Sequence, residues 1–490
     1  MSRRERIALL GVLTSIAAVL IVYSQTRAFV WDEGFHLIAA SLIAAGESPY
    51  LDFCFPQTPL NAYWNAALMR IFGVNWQMPH LFAALFIVAA VALAADFVLS
   101  RFPVQRWRVA CAACAAVFIG FNTVVLEFGP VAQAYGICMF FGMAAFRAAV
   151  AAVGKTRWLL PAFAGAMAGA AAASSLLTAP LVPVLLFWIW LYNRAGNRWK
   201  KSLAFVCGAV IPFVPVLRLF LKAPRQTLFN IVQYQAIYRR VDWPGATLHD
   251  VSALSGWTVS TQGLMMILLA AAGLLFVYKQ ADGDEHWDRV RRAEFYLAGW
   301  LAAAMALFIA TAHPTFERYF VVMVPFAGIL AAIGLYSVGS RLAGVNRPWA
   351  AAALAISLTT LALGRTELDD LDSTTWKDYR EISEKVAAVT PPGTPMYVDE
   401  LVYFSLHRKP PSGMEFSYSH KLQLPGEQEA LFHIVSEREL GEQLQHGRFE
   451  TVQSCKDDFI EKFKLSSLYS NKIDVQDCTI FWGKKQHTAK

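Results

Sequence analysis

The chain reads as a polytopic α-helical membrane protein followed by a small C-terminal α/β domain, and three observations predict this. Its 490 residues are 56% hydrophobic and only 16% charged, whereas soluble domains carry about a quarter of their residues as charged ones. Apolar runs approaching the ~20 residues that cross hydrocarbon as a helix recur from Arg6 to Gly364. From Arg365 to Lys490 the composition turns polar. That shift sets the one expected boundary, with a transmembrane domain over 1–364 and a soluble domain over 365–490.

About eleven spans are expected at this apolar length. They fall at 6–25, 80–101, 107–122, 130–152, 157–176, 178–193, 202–221, 258–278, 293–311, 318–337 and 346–364. The first follows Arg3, Arg4 and Arg6, is too long for an ordinary signal peptide, and has no small-x-small cleavage site behind it. It reads as an uncleaved helix. Lys and Arg gather in gaps of one parity, around Arg101–Arg108, Lys155–Arg157, Arg194–Lys201, Lys279–Arg292 and Arg341–Arg347. Basic loops stay on the cytoplasmic side, so the N-terminus is expected inside and the tail outside. Arg27, Arg70, Lys222, Arg225, Arg239, Arg240 and Arg318 are exceptions on the outer side. The net charge of +7 therefore reports membrane orientation rather than nucleic-acid binding.

Two outer gaps exceed simple connectors, Gln25–Pro79 and Lys222–Trp257, and long loops usually carry function. In the first, Glu33–Ala45 and Asn61–Phe72 have helical apolar spacing, with Gly46 suited to the position after a helix end. Both are expected to lie in the membrane interface, with Phe29, Trp31, Tyr50, Phe53 and Phe55 at that depth. In the tail, Trp376–Val389 and Ser436–Gln445 read as helices, and Met396–Val398 and Thr479–Trp482 as strands. Of the 7 cysteines, Cys111 and Cys114 have redox-motif spacing but no basic neighbour to activate a thiol. Cys455 and Cys478 fall in the outer tail, where a disulfide persists.

The residues that carry chemistry cluster after the first span. Asp32 and His36 are four apart and share a face if a helix starts there. Two readings of Asp32 stand. An acid at a helix start caps it and complements the macrodipole; an acid within a Trp-Asp-Glu-Gly-Phe-His cluster at a membrane surface is also a candidate catalyst. His36 has a packed reading beside a substrate-binding one, and Asp52 a turn-capping reading beside a substrate role. There is no P-loop, GxSxG or HExxH, so ATP-driven transport and those hydrolases lack support.

Trp31–His36, Gly46–Phe53 and Gln57–Leu60 together resemble the first outer loop of GT-C membrane glycosyltransferases, particularly bacterial protein-mannosyltransferase and aminoarabinose-transferase-like enzymes. Glu317-Arg318-Tyr319-Phe320 with Pro325 is similar to the pattern opening a late helix of that family, and Val398-Asp399 to Pro411 to a strand and turn of its outer domain. The resemblance implies a GT-C-like fold in a bacterial inner membrane and a polyprenyl-phosphate-type sugar donor. It also implies hexosyl or pentosyl transfer, expected to invert configuration, onto a glycan, lipid or protein acceptor on the outer face. It makes Asp32 the general base, with Glu33 supporting it or helping to hold a metal, and Arg318 a phosphate ligand. His313, Arg239 and Arg240 are further candidates for the phosphate, headgroup contact being the alternative for the arginines. The family's second acid has no Asp counterpart here. Glu127 stands nearby, and Gln133 and Tyr135 are candidate substrate hydrogen-bonders. A divalent cation, Mg or Mn, would have Asp32 and Glu127 as ligands. A transporter or flippase for lipid-linked sugars is the competing class; internal repeats and mid-membrane polar residues would mark it. A non-catalytic family member is the third reading.

Overall fold

The computed structural model describes residues 2–28, 32–192, 196–238, 246–279, 289–369 and 373–485. Each of the eleven expected spans coincides with a helix. Seven of these are long and apolar enough to cross a membrane: Arg3–Thr26, Gln77–Arg101, Arg198–Lys222, Thr261–Lys279, Arg289–Ala310, Val324–Leu342 and Pro348–Asp369. The others, Arg108–Gly120, Tyr135–Ala151, Leu159–Ser174 and Leu181–Tyr192, are shorter. Arg108–Gly120 is buried at every position after its first, as a short apolar helix inside a bundle should be. The protein is a multi-pass membrane protein with a small four-stranded sheet near its C-terminus.

The chain divides into two compact units. One comprises Met1–Gln25, His80–Pro215 and Trp243–Asp372; the other comprises Thr26–Pro79, Val216–Asp242 and Ser373–Lys490. The second therefore gathers the first long gap and the start of the second with the tail.

In the first unit the helices approach closely because small residues line their contacts. Gly165 and Gly169, four apart on Leu159–Ser174, face the Arg198–Val210 helix. A Cβ at Gly165 would meet the Phe205 carbonyl at 1.9 Å, and one at Gly169 the Ala209 carbonyl at 2.1 Å. With no hydrophobic drive between helices in lipid, such backbone contact is what holds them together. One buried amide is fully satisfied within the bundle. The Gln262 amide donates to the Phe121 and Thr359 carbonyls, both at 2.9 Å, and accepts from the Thr123 amide at 2.8 Å. Two basic gaps meet, since Arg106 bonds Asn346 and Trp107 Nε1 donates to the Val345 carbonyl at 2.8 Å. Arg101 pairs with the buried Glu294 at 3.2 Å, and Arg147 pairs with Asp96.

In the second unit the Glu33–Ala44 and Leu60–Phe72 helices form as the apolar spacing predicts, and Gly46 takes a positive φ of 105° after the first. Protein surrounds Glu33–Ala44: ten of its twelve residues are buried. Tyr50, Phe53 and Phe55 are likewise core residues, each at most 1% exposed, rather than interfacial anchors. They pack inside this unit, where Asn230, distant in sequence, accepts from the Phe55 amide at 2.8 Å. Phe29 and Trp31 lie outside the described residues.

The tail contains Trp376–Val389 and Glu437–Gln445 as helices, and a sheet of β1 (Met396–Tyr397), β2 (Thr451–Ser454), β3 (Tyr469–Val475) and β4 (Cys478–Lys484) in the order β1-β2-β4-β3. β1 and β2 run parallel, with Met396 beside Thr451; β4 runs antiparallel to both its neighbours. Phe449, Val452, Leu444 and Phe481 form the core beneath it. A disulfide joins Cys455 and Cys478, tying the chain just after β2 to the start of β4.

Candidate functional site

Asp32 occupies the cap position of the Glu33–Ala44 helix, but its side chain makes no capping hydrogen bond. Glu33 follows, fully buried. Gly34 then lets a second helix start approach. A Cβ on Gly34 would lie 2.6 Å from the Glu400 Cβ and 3.2 Å from the Leu401 amide nitrogen. Glu400 opens the Glu400–Ser405 helix, whose cap Asp399 accepts from the Leu401 amide at 3.0 Å. Two Asp-Glu pairs, each at a helix N-terminus, are thus packed against one another. Helix N-termini carry partial positive charge and favour carboxylates, which offsets the crowding of like charges. Burial, with Glu400 as a like-charged neighbour, pushes the Asp399 carboxyl up to about 7. Burial holds the Tyr379 phenol well above its ordinary value, with Asp399, Glu400 and Glu33 adding to the effect.

The loop after the first helix is built by its turn. Tyr50 takes a positive φ of 72°, its amide donates to the Phe53 carbonyl, and its hydroxyl donates to the Gln57 carbonyl at 2.6 Å. Asp52 is exposed and accepts from the Ser48 amide at 2.7 Å, the geometry of a turn cap. A π-helical turn, Phe229–Gln233, packs onto this loop. Its fully buried Asn230 accepts from the Phe55 amide at 2.8 Å, and Gln235 donates to the Pro56 carbonyl at 3.0 Å. Such π turns recur at functional sites.

His36 is buried between Phe35, stacked at 4.3 Å, and the edge of Phe55 at 5.7 Å. Burial pulls its pKa down to about 3, so the imidazole is neutral. Its Nδ1 finds no hydrogen-bond partner among the described residues. The Tyr234 phenol is also buried without a partner there, and burial raises its pKa well above the ordinary value, Asp32 being among the charges that add to the rise. Lys421 and Lys456 both lie near the Tyr418 ring, at 5.7 and 5.8 Å, placing cationic side chains in the same unit as the acids.

Glu127, Gln133, Tyr135, His313 and Arg318 belong to the other unit. Glu127 is exposed on Thr123–Phe128; Gln133 and Tyr135 are buried at the start of Tyr135–Ala151. Gln133 Nε2 has no hydrogen-bond partner among the described residues. Both helices pack on the Glu317–Val322 3₁₀ turn that carries Arg318. The Arg318 guanidinium lies over the Phe316 ring at 3.9 Å. His313 hydrogen-bonds Asp250, which also accepts from the Thr315 amide at 2.7 Å. Glu127, Gln133, Tyr135 and Arg318 thus sit on mutually packed elements. Arg239 and Arg240 lie outside the described residues.

Among the described residues no three His, Cys, Asp or Glu side chains are grouped to hold a metal ion. Hard cations want several oxygens, so the donor set present does not by itself build a site for Mg or Mn.

Glu400, Asn230, Lys421 and Lys456 carry no local sequence signal of a role. What the chain does repeat is the dipeptide, since Asp32-Glu33 and Asp399-Glu400 each open a helix.

No protein-family model and no curated protein sequence matches the chain. Among solved structures it resembles ArnT from Cupriavidus metallidurans bound to undecaprenyl phosphate, with a TM-score of 0.64 and 15% identity over 97% of this chain and 98% of that one. The apo form of that ArnT gives 0.62 and 16% over the same shares. The Archaeoglobus fulgidus oligosaccharyltransferase in its apo form gives 0.54 and 14%, covering 93% of this chain and 70% of that one. Both neighbours are GT-C glycosyltransferases, and the fold over nearly the whole chain is theirs.

Proposed function

We propose that this protein transfers a sugar from a polyprenyl-phosphate-type lipid donor to an acceptor at the outer face of a bacterial inner membrane, with Asp32 as general base. The observation that carries the reading is the likeness, across 97% of the chain, to a fold seen with undecaprenyl phosphate bound. An Asp at the family's first-loop position whose carboxylate is not spent on capping its helix supports the residue assignment.

The acceptor hydroxyl attacks the anomeric carbon on the face opposite the phosphate. The new carbon–oxygen bond forms as the carbon–oxygen bond to phosphate breaks, so configuration inverts. Asp32 takes the hydroxyl proton as attack proceeds. The transition state has oxocarbenium character, which a nearby carboxylate stabilises; Glu33 adds to the negative field. The departing phosphate gathers charge, and a guanidinium fork suits its oxygens. Arg318 is the candidate for that role, with Arg239 and Arg240 as further candidates. Gln133 and Tyr135 are the hydrogen-bonders for sugar hydroxyls, and His313 is a further candidate for the phosphate. No step is routed through a cation.

The N-terminus lies in the cytoplasm and the tail outside. The meeting of the basic gaps at Arg106–Asn346 and the disulfide in the tail support that orientation, because disulfides persist in oxidising compartments.

The test uses purified protein in vesicles supplied with polyprenyl-phosphate hexoses and pentoses and read by polyprenyl phosphate release. The wild type consumes one such donor. Asp32→Asn inserts and folds but turns over about 10²–10⁴-fold more slowly, the usual worth of a general base. Undiminished turnover in that variant would remove Asp32 from the chemistry.

A further inference from the structure

Within the second unit lies a cavity of about 460 Å³. The Trp376–Val389 helix turns one stripe into it: Trp376, Arg380, Ser383 and Glu384, at positions i, i+4, i+7 and i+8. The opposite wall is the end of the Glu400–Ser405 helix, finished by His407 at a left-handed φ of 52°. The third wall is the turn before Gln77, where Trp76 lies flat on Trp376, with ring centroids 4.5 Å apart and planes within 2°.

The chemistry of these walls is specific. Arg380 and Glu384 are exposed and opposite in charge, so the cavity offers an ion no net attraction. Together with His407 they supply donors and acceptors, and none of the three side chains enters a hydrogen bond or ion pair with another described residue. Trp376 is 5% exposed and covered by Trp76, so the half-buried Trp76 indole is the one a ligand can meet, and an indole beside uncommitted donors and acceptors matches a sugar ring. Its C–H faces carry partial positive charge that settles against the negative face of an indole, and its hydroxyls both give and take hydrogen bonds. The volume lies within the roughly 300–1,000 Å³ of small-molecule sites. Beside it the end of the Leu60–Phe72 helix leaves Ile71 71%, Phe72 48% and Val74 39% exposed, an apolar ridge suited to the acyl boundary of a bilayer.

We propose that this cavity is a saccharide-binding subsite, and that it holds the sugar headgroup of a membrane-anchored glycan. That the bound glycan is the acceptor rests on the glycosyl-transfer reading; binding itself does not.

The experiment is saturation-transfer NMR on the full-length protein in nanodiscs, with maltose, lactose and di-N-acetylchitobiose as probes and inorganic phosphate as competitor. Saturation is expected to reach the ring C–H protons of at least one disaccharide and to resist phosphate. Trp76→Ala and the exposed double change Arg380→Ala/Glu384→Ala are expected to weaken binding at least about tenfold, or ~1.4 kcal/mol. If Trp76→Ala fails to fold, the double variant decides. Transfer from none of the three disaccharides, displacement by phosphate, or wild-type binding by the double variant overturns the subsite. Asp32→Asn is expected to bind as the wild type does. A failure of the catalytic reading would show in that variant's turnover, and a failure of this one in the binding alone.

Discussion

Asp32 and Asp399 occupy the same position in two helices, yet only Asp399 caps, accepting from the Leu401 amide. The difference separates a structural acid from a candidate base. Asp399 ionises near 7 when folded and near 4 when unfolded. Between those values the native state holds a proton the unfolded chain has released, so rising pH favours unfolding until both have lost it. Asp399→Asn keeps a capping side chain and removes the titration. Its thermal stability relative to wild type is expected to be highest above pH 7 and to decline toward pH 4. A pH-independent difference would show that Asp399 is charged throughout. His36 is the converse case. Its neutral ring is wedged among aromatics with Nδ1 unbonded among the described residues, so a hydrocarbon ring of similar shape loses no hydrogen bond there. His36→Phe is expected to melt at or slightly above the wild-type temperature and to keep its turnover. A hundredfold fall in turnover with an unchanged melt would show that His36 touches substrate.

At the scale of elements, the two helix starts are held together by the missing side chain at Gly34. Gly34→Val is expected to destabilise the second unit by about 1–3 kcal/mol, the usual cost of overpacking, because the Glu400 Cβ and the Leu401 backbone must move. Hydrogen exchange should show faster opening of both the Glu33–Ala44 and Glu400–Ser405 helices; protection unchanged in both would mean the contact is loose. These helices were readable because their apolar residues recur at helical spacing, and Trp376–Val389 appears with the very bounds its pattern gives. β2 was not readable, since four residues give too little alternation to identify a strand. β3 was hidden for another reason: five of its seven positions are not buried, which leaves no apolar face in the sequence.

Across the whole molecule, composition and hydropathy carried the membrane architecture, because a helix in lipid must satisfy its own backbone and shield it with apolar side chains. They did not carry the grouping of the first long gap and the start of the second with the tail. That grouping depends on contacts such as Asn230 with Phe55, 175 residues apart, which no local period encodes. The same gap explains why Tyr50, Phe53 and Phe55 read as interfacial aromatics and are core. Asp32 and Glu33 are candidates through motif resemblance, while their packing against Asp399 and Glu400 needed the fold.

Transfer of a lipid-linked sugar to a surface acceptor leaves its trace in the mass spectra of surface glycans and glycolipids from cells with the gene, without it, and complemented with Asp32→Asn. One species is expected to lose the mass of a single hexose or pentose when the gene is absent. Wild type restores it and Asp32→Asn does not. Identical glycan and glycolipid profiles in all three strains would rule out such a transfer.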